Sequence, residues 1–113
     1  MNIQIFGTKK SFDTKKAQRY FKERRIKFQF IDLKEKEMSK GELQSVMRAV
    51  GGIDVVVDEN AKDQDTVALI KYVAESQKFD KLLENQQVLR EPIVRNGKQA
   101  TVGYQPGVWG GWE

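Results

Sequence analysis

The 113-residue sequence contains neither cysteine nor histidine. Without cysteine the chain has no disulfide, no thiolate metal site and no cysteine redox chemistry. Without histidine a zinc site loses its other common ligand, and no serine has an imidazole to take its proton. Proline occurs twice. No apolar run approaches the roughly 20 residues a membrane span needs. A strand pattern starts at the N-terminus, with no basic-then-apolar leader of the secretory kind, and the expectation is a cytoplasmic protein with no membrane partner.

Charge of one sign is also in short supply. Twenty Lys and Arg stand against 16 Asp and Glu, for a formal charge of +4. The basic residues are interspersed with acids along most of the chain, which predicts a solvated surface and no direct nucleic-acid contact. Hydrophobic residues at 39% and charged residues at 32% fit one soluble globular domain over 1–113.

Residues 2–6 alternate around Ile3, Ile5 and Phe6 and predict a first strand that ends at Gly7. From Phe12 to about Arg25, Ala17, Tyr20 and Phe21 recur at helical spacing with Lys and Arg on the other face. Residues 27–32 alternate again, so the opening is βαβ, with the second strand parallel to the first. Ser11 stands where the first helix starts. Backbone N–H groups there lack intrahelical partners and the dipole is positive, so the place suits an anion or a thiolate. Lys9, Lys10, Lys15 and Lys16 raise the potential, but a serine with no adjacent base is nearly inert.

Ser39 followed by Glu42 has capping-box spacing and opens a second helix that Gly51-Gly52 ends. Residues 53–64 fit either a short buried segment or a loop. Asp65 is the expected cap of a third helix carrying Val67, Ile70 and Ala74, and Phe79, Leu82 and Leu83 suggest a fourth after a break near Ser76. Val88–Arg95 reads as a strand interrupted by Pro92. Asn96-Gly97 then turns it into an antiparallel partner, 98–102. The peptide bond before Pro92 is a candidate for cis. The tail from Pro106 is glycine-rich, which disfavours a long final helix, although Trp109 is able to pack back on the body.

The order βαβ, helices, proline-led hairpin resembles the thioredoxin-like arrangement: an α/β fold with a mixed sheet flanked by helices. Phe6-Gly-Thr-Lys-Lys-Ser-Phe-Asp-Thr-Lys-Lys-Ala17 looks like the loop of the ArsC/Spx family, and residues 89–97 with Val102-Gly-Tyr104 look like that family's Arg-Pro-Ile, hairpin and Val-Gly segment. The resemblance implies a glutaredoxin-like arsenate reductase scaffold. In such proteins a helix-start cysteine is the low-pKa nucleophile toward a small oxyanion or thiol substrate, and glutathione or glutaredoxin supplies electrons. It carries Ser11 onto the nucleophile position and Arg90 near the oxyanion-binding arginine. Thr8, Lys9, Lys10, Thr14, Lys15 and Pro92 become the residues around the substrate, with Pro92 at the cis-proline. The resemblance implies no metal and no bound cofactor, and a monomer.

Four positions depart from the family pattern. Ser11 replaces the nucleophile, Thr14 the second cysteine of Spx-type members, Glu91 an arginine before Pro92, and Tyr104 another arginine. The expectation is a protein inactive as given, with Ser11 either natural or engineered from cysteine to stop intermolecular disulfides. The alternative that the resemblance implies is an Spx-like regulator binding the alpha subunit of RNA polymerase. Gly51-Gly52 falls near the turn that the Spx type uses at that contact, but the chain lacks its cysteine pair and longer basic C-terminal segment.

Overall fold

In the computed structural model, which describes residues 1–112, the alternating apolar residues at the N-terminus form strand β1 (Ile3–Gly7). Helix α1 (Phe12–Glu23) follows, then strand β2 (Phe28–Asp32), which pairs parallel to β1 from Ile3 opposite Phe28 to Gly7 opposite Asp32. After the helical insertion come β3 (Ile93–Asn96) and β4 (Gln99–Val102), antiparallel to each other across Asn96-Gly97. Strand β3 also pairs antiparallel with β1, so the sheet order is β2-β1-β3-β4 and β1 lies inside it.

Burial on both faces of the inner strands follows from this order. Ile3 and Ile5 of β1 and Val94 of β3 pack on one face with Ala17, Tyr20 and Phe21 of α1 and with Trp109. Phe6 and Ile93 point to the other face, where Leu43, Val46, Val56, Ile70 and Leu82 of the insertion cover them. Trp109 belongs to a short helix, α6 (Pro106–Gly110), which opens on Pro106 and is fully buried at the indole. The glycines keep this helix to five residues, as expected, yet its tryptophan closes one core.

The insertion contains α2 (Lys40–Val50), the single turn α3 (Ile53–Val56), α4 (Gln64–Tyr72) and α5 (Glu75–Glu84). Ser39 and Glu42 form the expected capping box, and Gly51 takes φ 97° at the end of α2. Three expectations are corrected here. The cap of α4 is Asp63, whose carboxylate accepts from the Thr66 N–H at 3.1 Å, and Asp65 lies within the first turn. The break before α5 falls at Val73-Ala74, because Val73 is extended, so Ala74 is outside α4 and Ser76 inside α5. Val88 ends a 3-10 turn (Gln86–Val88) rather than starting a strand. Its carbonyl accepts from the Asp58 N–H and the Arg90 N–H donates to Val56, both at 2.8 Å, so residues 88–90 pair with the end of α3 and the ladder begins only at Ile93.

Candidate functional site

Strand β1 delivers the chain to Gly7, and residues 8–10 turn it into α1. The Ser11 N–H donates to the Thr8 carbonyl at 3.3 Å, and the Ser11 hydroxyl accepts from the Thr14 N–H at 3.1 Å, so Ser11 is the N-cap. Thr14 is fully buried beneath the loop. Gly7 makes room for it: a Cβ there would lie 2.4 Å from Thr14 Oγ1 and 2.7 Å from Thr14 Cγ2.

The Glu91–Pro92 peptide bond is cis, and the segment before β3 lies against this loop. Pro92 is buried, and its carbonyl accepts from the Gly103 N–H at 2.8 Å. Glu91 reaches into the start of α1. Its carboxylate accepts from the Thr8 N–H, from the Thr8 hydroxyl at 3.2 Å and from the Thr14 hydroxyl at 3.4 Å. An anion therefore does sit against the loop that opens α1, and the chain supplies it. Two hydroxyls and the Thr8 backbone amide hold this carboxylate, and none of the ion pairs among the described residues involves it.

The expected site residues divide by this geometry. Thr8, Ser11, Thr14 and Pro92 come together. Lys9, Lys10 and Lys15 are exposed at the rim, with the Lys15 ammonium 5.6 Å from the Phe12 ring. Arg90 is not brought in: its side chain is exposed, its backbone is tied to Val56, and it makes no ion pair with Glu91. The role of Glu91 was the residue-level feature missed. Its signal was a charge reversal directly before Pro92, but the partners Thr8 and Thr14 lie 83 and 77 positions away in sequence.

Chemically, the site binds the carboxylate of Glu91. The Ser11 hydroxyl has no base as a hydrogen-bond partner among the described residues, so nothing there raises its nucleophilicity. No group of three or more Asp or Glu side chains gathers to hold a metal ion among the described residues. None of the described helices is long and apolar enough to cross a membrane.

No protein-family model matches the sequence, and no curated protein matches it. Solved structures do match in shape. An ArsC family related protein from Bacteroides fragilis superposes with a TM-score of 0.83 at 15% identity, covering 100% of this chain and 98% of that one. An arsenate reductase from Vibrio cholerae gives 0.80 at 19% identity, over 96% and 94%. An arsenate reductase (ArsC) related protein from Brucella melitensis gives 0.67 at 16% identity, over 99% and 94%. The chain thus has the thioredoxin-like α/β fold of solved ArsC-family structures, over nearly its whole length and theirs.

Proposed function

We propose that this protein is an arsenate reductase-like scaffold that is catalytically silent as given, held so at two places. Ser11 stands where the resemblance puts the nucleophilic cysteine, and Glu91 fills the position at the start of α1 where an oxyanion would be held. The observation that carries this reading is the Glu91 carboxylate on the Thr8 amide and the Thr8 and Thr14 hydroxyls. A fixed carboxylate there repels arsenate by charge and takes the donors it would use. In a cysteine form, the substrate class is a small oxyanion or a thiol, with glutathione or glutaredoxin as electron donor. The resemblance puts Arg90 near the oxyanion-binding arginine, and its side chain is exposed and in no ion pair among the described residues.

The test follows NADPH oxidation with arsenate, glutathione, glutaredoxin and glutathione reductase. The protein as given shows no arsenate-dependent rate. Ser11→Cys alone gains a titratable thiol, and adding Glu91→Gln lowers its pKa further, because a nearby carboxylate disfavours the thiolate. Turnover by the serine protein overturns the reading. A Ser11→Cys thiol whose pKa is indifferent to Glu91→Gln removes Glu91 from it.

One observation favours a second reading, an Spx-like interaction protein that binds the alpha subunit of RNA polymerase. Gly51 and Gly52 both have positive φ, and a Cβ added at either would meet nothing within 4 Å, so the turn between α2 and α3 leaves room on its side-chain side for a partner. Capture of the alpha subunit's C-terminal domain, abolished by Gly52→Arg in a variant with an unchanged circular dichroism spectrum, supports it. No binding at tens of micromolar removes it.

A further inference from the structure

The interspersion of charge that describes most of the chain fails in one segment. Residues 9–27 hold nine Lys or Arg against two acids, Asp13 and Glu23, a net of +7 in a chain of net +4. The remaining residues therefore sum to −3.

The fold brings five of these nine cations, Lys15, Arg19, Lys22, Arg25 and Lys27, to one face. Thr14, Ala17, Tyr20 and Phe21 bury one side of α1, which leaves Phe12, Lys15, Arg19 and Lys22 in a stripe along the opposite side. Beside it lies β2, an outer strand of the sheet, and Phe28 of that strand, half-buried against Phe21, lines the same shallow groove as Lys15, Arg19, Lys22 and the acid Glu23. Phe28 and Lys22 also line its continuation, with Arg25 and Lys27. Among the described residues none of these five cations is in an ion pair. Arg25 has φ 57°, a left-handed conformation that favours glycine or asparagine, where the Ile26 N–H donates to the Phe21 carbonyl to end the helix. The chain thus places an arginine where backbone geometry does not ask for one.

We infer that the groove between α1 and β2 binds single-stranded nucleic acid. Unpaired cations along a groove track a phosphate backbone, and aromatic faces beside them give bases a surface to stack on. Phe12 is 78% exposed at one end, and Phe28 lines the groove further along. An anionic membrane fits less well, because the apolar side of α1 is already committed to the core and has nothing to insert.

The test is fluorescence anisotropy of a labelled 12-mer of thymidine or uridine titrated with the serine protein. About five phosphate contacts predict that affinity falls roughly a hundredfold between 50 and 200 mM salt. Lys15→Glu, Arg19→Glu and Lys22→Glu together abolish binding with an unchanged far-ultraviolet spectrum, whereas Lys71→Glu with Lys81→Glu, on α4 and α5, does not. Phe12→Ala, at a largely exposed ring, weakens it about tenfold. No binding at 100 µM protein in 50 mM salt overturns the inference. So does equal affinity for a duplex, indifference to Phe12→Ala, or binding to phosphatidylserine vesicles without binding to the oligonucleotide. None of these outcomes depends on Ser11 or Glu91, so this inference and the catalytic reading fail separately.

Discussion

Gly7 has no side chain, and Thr14 and Glu91 occupy the space that one would fill. A Cβ at position 7 would lie 2.4 and 2.7 Å from Thr14 Oγ1 and Cγ2 and 3.1 Å from Glu91 Oε1. Every staggered rotamer of Thr14 keeps at least one of its two branches in that place, so a rotamer change gives no relief. Gly7→Ala therefore forces the start of α1 away from β1 and disturbs the hydroxyl that holds Glu91. The expected cost is about 1–3 kcal/mol, read as a lower urea midpoint at unchanged slope. An unchanged midpoint would mean that the loop floor yields more easily than this packing allows. The Ser11 cap was legible in the sequence, because a serine at the start of an apolar helical period has a local meaning. The seat of Glu91 was not, since it depends on bringing together groups some eighty positions apart.

Among the elements, those with strong local signals were readable: the capping box of α2, the Asn96-Gly97 turn, and the parallel crossover through α1. Helix α4 was readable in its existence and not in its start. Two aspartates, Asp63 and Asp65, stand two apart before its apolar residues, and both satisfy the simple cap rule. The structure favours Asp63 because Thr66 follows three positions later and gives the carboxylate both its N–H and its hydroxyl, while Gln87 adds a third donor at 2.9 Å. The Thr66 hydroxyl first, then Gln87 and the Thr66 amide, hold the Asp63 pKa below its ordinary value. A carboxylate with a depressed folded-state pKa stabilises the fold above its unfolded value of about 3.9. That contribution fades as pH falls through the folded-state value. Asp63→Asn keeps a capping oxygen but does not titrate. Its melting temperature should trail that of the parent protein at pH 7 and converge with it below about pH 4. A constant gap from pH 7 to pH 3 would show that the Asp63 charge is not what anchors α4.

For the molecule as a whole, the sheet order fixes two cores, and the question is what closes each. The core on the insertion side is closed by four helices. The other has only α1 until the tail returns, so Trp109 completes it, with ring centroids 5.2 Å from both Tyr20 and Phe21 and 5.5 Å from Tyr104. Its indole N–H donates to the Thr101 hydroxyl at 2.8 Å, which ties the tail to β4 and satisfies a buried donor. A glycine-rich tail gives little local indication of this, because the burial of Trp109 comes from the sheet and helix it lands on. Removing the ring leaves a cavity between α1 and the sheet and an unpaired hydroxyl on Thr101. Trp109→Ala is expected to cost about 3–5 kcal/mol, a large part of the 5–15 kcal/mol that a domain commonly has. Trp109→Phe, which keeps most of the packing and loses the hydrogen bond, should cost less, about 1–3 kcal/mol. Chemical denaturation followed by far-ultraviolet circular dichroism distinguishes the two, since Trp112 remains and fluorescence alone would mix both tryptophans. If Trp109→Ala unfolds at the same denaturant concentration as the parent, α6 merely rests on the second core, and α1 with the sheet is enough to hold the Ser11 loop in place.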